Sequence, residues 1–348
     1  NKAAENIAIG WKSNYSNLYG THNVAIGNRA LFNNDNSYNV AVGFQSLFNT
    51  RESNNTAVGF RSGFINVSGT DNTAMGYEAL RQNIYGVENT AFGSNSLYEN
   101  ESSFNTAVGF MAMESSKDGS SNVAIGWKAS RLSTKGEFNV GIGAEALLNS
   151  DNSRNTAVGF RSLYKNTSDD NTAYGFKSSY SNRNGIDNVS IGVESLHSNI
   201  NSNFNLAIGS QSLYNNIVSD NTAIGYKASF SNLTGSDNVN IGKLSSYSNM
   251  YGEGNIALGN EALYSNDSSF NIAIGHQSLF SSNSENNTSI GYKSMLLNQD
   301  GTNNISLGNY SLYNNDGSNN VAIGYQSLYK TNASNNTSLG WESGYNNT

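Results

Sequence analysis

The motif Asn-x-small-apolar-Gly recurs along the entire chain, with its Gly at residues 10, 27, 43, 59, 76, 93, 109, 126, 143, 159, 175, 192, 209, 225, 242, 259, 275, 291, 308, 324 and 340. These 21 copies are separated by ten intervals of 17 residues and ten of 16, and no non-repeat stretch longer than a few residues is left over. A period this short marks a repeat architecture in which each unit must stack on its neighbours to bury a face. A coil of that length has room for two short strands and two tight turns, and none for a helix. Nothing is sustained at 3.6-residue spacing, and a Gly and several Asn interrupt every second turn of any helix drawn through it. The expected fold is therefore all-β: one continuous parallel β-solenoid over residues 1–348, of about 21 coils with two short strands each. The pattern runs to both ends without a capping element, so the chain reads as a segment of a longer polypeptide.

With the anchor Gly as position 0, position −4 is Asn in every copy and position −3 is Thr, Val, Ile or Leu. Position −2 is Ala in fifteen copies and Gly, Ser or Asn in the rest; position −1 is apolar throughout. The β-branched alternation from −3 to +1 predicts one strand of about five residues, and +2 to +6 a second. Position +3 is Ala or Ser, +4 is usually Leu, +5 is Tyr or Phe in fifteen copies, and +7 is Asn in fifteen and Ser or Thr in six. In nine of the ten 17-residue intervals a Gly stands seven residues before the next anchor, as at Gly20, Gly69, Gly86, Gly136, Gly185 and Gly235. That placement predicts an extra turn residue with positive φ, the two coil lengths being two versions of one surface turn over strands that keep register.

An Asn repeated at one phase of a solenoid can bond the equivalent Asn in the coils above and below, roughly 4.8 Å away, and turn backbone that would otherwise be unpaired. Asn6, Asn23, Asn39, Asn55, Asn72, Asn89, Asn105, Asn122, Asn139 and Asn155 are the first ten members of the −4 ladder, and the +7 residues form a second. The many Asn-x-Ser/Thr triplets follow from composition, since a chain this rich in Asn, Ser and Thr generates them by chance. The +2 column mixes signs, from Lys12, Arg29 and Gln45 to Arg61 and Glu78, and reads as a solvated face with cross-coil pairs such as Arg61–Glu78 and Lys128–Glu145.

Composition removes several classes of function. A net charge of −7 with no Lys/Arg cluster argues against nucleic acid as a partner. No apolar run approaches the roughly 20 residues that span a bilayer, so no membrane contact is expected within this segment. With no Cys there is no disulfide framework or thiolate metal site. The three His, at 22, 197 and 276, fall at different phases of distant coils and cannot converge on a metal or a base–nucleophile pair. Every Gly of the motif is explained by the repeat, so no phosphate loop is expected. The expectation is a non-enzyme with no cofactor.

In the first strand −3, −1 and often +1 are apolar on one face, while −2 and 0 on the other are small. Surface columns ordinarily drift to polar residues, and here neither face does. No segment is left to cover the outer face, and the simplest cover is another copy of the chain packed lengthwise by rotational symmetry.

The string Asn-Val-Ala-Ile-Gly-x-x-Ala, at residues 23–30 and 122–129, resembles the head repeat of trimeric autotransporter adhesins of the YadA type. The longer form, as in residues 155–164, is similar to repeats of bacterial surface proteins and of phage or viral fibres. The resemblance covers essentially the whole chain, although the adhesin head repeat is typically shorter. It implies a left-handed β-roll, a homotrimer, an extracellular place at a cell or virion surface, and a host or matrix glycan or protein receptor.

The reading that follows is a structural and adhesive fibre segment, a rod of roughly 100 Å at ~4.8 Å per coil. An alternative is a glycan-binding shaft using the +5 aromatics Tyr164, Tyr180, Tyr214, Tyr247 and Tyr264, against which stands their simple packing as cross-coil stacks. An ice-binding solenoid fits less well, because Thr fills −3 in only nine copies and alternates with Val and Ile. A carbohydrate-active β-helix would need longer coils and a cleft with paired carboxylates.

Overall fold

The computed structural model describes residues 4–347. The chain forms two compact units, residues 1–171 and 172–348, and among the described residues both consist of strands and turns with no helix. The first unit contains ten three-residue strands, from Ile7–Ile9 to Thr156–Val158, and the second eleven, from Thr172–Tyr174 to Thr337–Leu339. Within each unit these strands stack as a parallel β-solenoid in strict register. Ile7, Ala8 and Ile9 face Val24, Ala25 and Ile26, and Val189, Ser190 and Ile191 face Leu206, Ala207 and Ile208. Thr73 pairs with Thr90 across a longer coil and Thr90 with Thr106 across a shorter one. The length difference is thus absorbed entirely in the turns, as expected, because a one-residue slip would turn every side chain of the strand to the opposite face.

The second strand is shorter and later than the sequence pattern suggests. It is two residues long, at +6 and +7: Asn49–Thr50, Ile65–Asn66, Gln82–Asn83, Glu99–Asn100 and Ser115–Ser116 in the first unit, and six from Ser265–Asn266 to Asn346–Asn347 in the second. The first strand likewise spans three residues and not five, and the segment from +1 to +5 is turn. The cause lies in the backbone. Residues at −5, +2 and +4 take left-handed φ values in coil after coil, as at Asn54, Arg61, Leu80, Glu88, Asn95 and Leu97, between 46° and 64°. A strand cannot run through two such residues two apart. None of these three columns contains Val, Ile or Thr, the residues for which the left-handed region is most costly. Leu at +4 is therefore a compromise: apolar enough for the core and unbranched at Cβ.

The glycines have two distinct roles. Anchor glycines take φ from +126° to +144°, and at Gly109 an added Cβ would lie 2.5 Å from the carbonyl oxygen of Gly126 in the next coil. The turn glycines at −7 do not have positive φ, contrary to expectation. They allow close approach instead: a Cβ on Gly185 would lie 2.3 Å from Ser202 O.

The core is narrow. In a typical coil one Ala at −2 and one Leu at +4 are fully buried, as at Ala91 with Leu97 and Ala207 with Leu213. Burying a Leu contributes roughly 1.5–3 kcal/mol, so a single coil has little apolar stabilisation of its own and stability accumulates by stacking. Around this strip the interior is polar and hydrogen-bonded: the buried Ser at +3 donates to backbone carbonyls, as Ser62 Oγ to Ala74 O at 2.9 Å.

Gly109→Ala is expected to cost at least about 2 kcal/mol, since it combines a disfavoured φ with backbone overlap. Chemical denaturation measures it, and a loss below about 0.5 kcal/mol would show that the coils have more room than the stacking implies.

Candidate functional site

Two Asn columns hold the coils together, and they work differently. At −4 the side chain bonds backbone on both its atoms. Asn105 Oδ1 accepts the backbone N–H of Asn122 at 3.0 Å, and Asn105 Nδ2 donates to Gly119 O at 2.8 Å. The first bond recurs without a break from Asn6 to Asn171 in the first unit. In the second unit it recurs from Asn188 to Asn336. The ladder at −4 thus links each Asn to the equivalent Asn of the next coil and to turn backbone, as expected; most of its bonds end on backbone, and direct amide-to-amide bonds run from Asn205 Nδ2 to Asn188 Oδ1 and from Asn336 Nδ2 to Asn320 Oδ1, at 3.1 and 2.9 Å. At +7 amide-to-amide bonds do form, as Asn83 Nδ2 to Asn66 Oδ1 and Asn232 Nδ2 to Asn216 Oδ1, at 2.6 and 2.8 Å. The columns meet on one carbonyl, that of the −7 residue. Gly86 O accepts Asn83 Nδ2 at 2.7 Å and Asn72 Nδ2 at 2.9 Å, and Gly252 O accepts both Asn249 and Asn238 at 2.9 Å.

The +5 aromatics stack from coil to coil. Tyr180, His197, Tyr214, Phe230, Tyr247, Tyr264 and Phe280 form one column with ring centroids 4.9–5.4 Å apart and planes within 15°. Tyr15, Phe32, Phe48 and Phe64 do the same in the first unit at 5.1 Å. The ring faces of Tyr214, Tyr247 and Tyr264 are thus covered by neighbouring rings, leaving edges and phenolic hydroxyls outward. Tyr164 lies beneath the guanidinium of Arg161, whose Cζ is 5.3 Å from its ring centroid.

The +2 column is less solvated than its composition suggests, because its side chains lie between the +1 and +5 rings. Arg61 Cζ is 5.1 Å from Phe60 and 5.5 Å from Phe64, and Lys227 Nζ sits over Tyr226 and Phe230 at 5.4 and 5.2 Å. Arg61 reaches Glu78 only at 3.8 Å, Glu78 lying closer to Arg81 at 3.3 Å. Glu145 is buried and pairs with Arg161 at 2.6 Å, while Lys128, its expected partner, has its Nζ 4.1 Å over the Trp127 ring.

The structure assigns the two faces of the first strand. The small residues at −2 point inward and are buried, whereas −3, −1 and +1 point outward. Ile125 and Trp127 are 39% and 45% exposed in the first unit, and Ile241 and Tyr226 39% and 47% in the second. Each unit therefore presents a long outward sheet face of Val, Thr, Ile and aromatic side chains. The inward or outward sense of each column was the missing signal, since alternation alone leaves it open.

Titrating groups sit in pairs and stacks. The hydrogen bond from Arg154 holds Asp170 below the usual carboxylate range, and Asp170 in turn raises Arg154. Tyr292 raises Lys293 through a hydrogen bond, and desolvation raises Tyr310 and Tyr329. His22 pairs with Glu5, and His197 and His276 stack on Tyr rings. Among the described residues no group of three or more His, Asp or Glu side chains could hold a metal, and no helix is long and apolar enough to cross a membrane.

No protein-family model matches this chain, and no curated protein or solved structure is similar to it.

Asn105→Ala removes the acceptor of one buried N–H and the donor to one turn carbonyl, and is expected to cost about 1–3 kcal/mol per unsatisfied group. Lys135→Ala, at an exposed turn position, should stay within about 0.5 kcal/mol. Equal shifts in Tm for the two variants would refute a structural ladder.

Proposed function

We propose that this chain is a structural and adhesive fibre segment, non-catalytic and extracellular, that associates with copies of itself along the outward apolar sheet of each unit. The observation that carries the proposal is that sheet. Monomeric proteins rarely leave a contiguous apolar patch larger than a few hundred Å² in water, and here three outward columns stay largely apolar through successive coils. Packing along a rotational axis would bury the same columns on every chain, which suits a repeat whose coils present them again and again. The resemblance of the repeat to trimeric adhesin heads supports three chains and a place at a cell or virion surface. Affinity for a surface receptor, whether glycan or protein, would come from many weak repeated contacts acting together. For a glycan, the +5 column offers ring edges and hydroxyls, its faces being occupied by neighbouring rings.

Sedimentation equilibrium at micromolar concentration is expected to give a trimer. Ile125→Lys combined with Ile142→Lys, which places two cations on the outward sheet, should weaken the assembly, whereas Lys135→Ala leaves it intact. A folded wild-type monomer under these conditions would refute the proposal.

A further inference from the structure

The coils are not all alike, and their differences recur on a longer period. Counted from Gly27, the anchor spacings run 16, 16, 17, 17, 16, 17, 17, repeat once in full and begin a third time, so residues 116 apart occupy equivalent places in blocks of seven coils. Residues 27–49, 143–165 and 259–281 show the relation directly: each opens Gly-x-x-Ala-Leu and carries an Asp at the same place, Asp35, Asp151 and Asp267. The coil that precedes each of these stretches and closes a block comprises residues 10–26, 126–142 and 242–258.

Two independent features single out this coil. The first is in the core. Position +4 is Leu or Met in most coils, but in the closing coil it is Asn14, Ser130 or Ser246. The Asn14 Oδ1, Ser130 Oγ and Ser246 Oγ atoms are all buried and make no hydrogen bond among the described residues. The other two polar residues of the column have partners: Ser179 Oγ lies 2.7 Å from Ser190 Oγ, and Ser229 Oγ accepts Asn240 Nδ2 at 2.5 Å. The second feature is on the outer turn. In coils such as 175–191, N–H groups at this point bond backbone of the next coil, as Arg183 and Asn184 to Ile200 O at 3.0 and 2.9 Å. The closing coil is followed by a shorter coil, and an Asp side chain takes over. Asp35 Oδ1 accepts the N–H groups of Leu18 and Tyr19 at 2.8 Å, Asp151 Oδ1 that of Thr134 at 2.6 Å, and Asp267 Oδ1 that of Met250 at 2.7 Å.

We infer that the closing coil is a built-in opening point, one in every seven coils. Its core lacks the methyl groups of Leu and holds a polar atom without a partner, so opening it forfeits less apolar burial than opening a coil with Leu or Met at +4 and, unlike opening at Ser179 or Ser229, breaks no side-chain hydrogen bond there. At this one point of its turn an exposed carboxylate stands in for the backbone-to-backbone bonds of coils such as 175–191, while flanking bonds such as Leu132 N–H to Leu148 O at 3.0 Å and Arg154 N–H to Glu137 O at 2.9 Å are kept. Local opening in a stacked solenoid starts where intrinsic and interface terms are smallest. A fibre built this way yields at regular intervals while the coils between stay closed. The weak coil is a property of each unit by itself and does not depend on self-association.

Native-state hydrogen exchange on the intact protein, read by mass spectrometry, tests it. Amides of residues 126–142 are expected to exchange at least about tenfold faster than those of 43–58, whose core residue is Leu47, and those of 242–258 faster than those of 275–290, which contain Leu279. Ser130→Leu and Ser246→Leu should slow their own coils by about tenfold, from the apolar carbons added at each site. Asp151→Ala and Asp267→Ala should speed exchange in the same coils. Uniform exchange across the seven coils of the wild-type protein would overturn the inference whether or not the Leu variants fold, and so would folded Leu variants in which the closing coil gains no protection.

Discussion

A closed coil this short has to reverse direction twice with almost no chain to spare, and every reversal strands backbone groups that the coil cannot satisfy by itself. This is the constraint on which the rest of the structure depends. The carbonyl at −7 shows how it is met: Gly86 O accepts one amide from Asn83 and another from Asn72, whose Oδ1 accepts the backbone N–H of Asn89 in the next coil. Because one side chain serves both the turn and the neighbouring coil, satisfying the turn and stacking the coils are the same act. Asn suits the role because its short side chain carries both a donor and an acceptor. Asp would offer only acceptors at neutral pH, and Gln would need another torsion to be fixed.

Once the coils are locked at strand spacing, other features follow from the translation. Any side chain repeated at one phase meets its own kind about 5 Å away, which is a stacking distance for rings, as the column from Tyr180 to Phe280 demonstrates. It also brings charges into line, so that Arg161 finds Glu145 and Arg131 finds Glu114. On the longer period of seven coils one polar core position recurs as well, at Asn14, Ser130 and Ser246.

The small cross-section limits what can be placed inside. With Ala91 and Leu97 supplying nearly all the apolar interior of their coil, the larger hydrophobic residues have only the outer sheet to occupy. That inversion, small residues inside and larger apolar residues outside, is unusual for a chain in water and is the observation on which the proposed self-association rests.

Solenoid class, coil number and strand-to-strand register were legible in the sequence, because so short a period with an invariant Asn and Gly admits few other arrangements. The exclusion of Val, Ile and Thr from −5, +2 and +4 was also written there. By itself that exclusion says little, since Leu at +4 looks like an ordinary strand residue until its left-handed φ is seen. Tertiary structure alone decided three things: that −2 faces in and −1 faces out, that the −4 amides bond mainly backbone, and that the −7 glycines serve close approach. Each depends on where the next coil lies in space. Composition reports which residues recur at a phase, but only the stacked backbone determines which atoms of the neighbouring coil they meet.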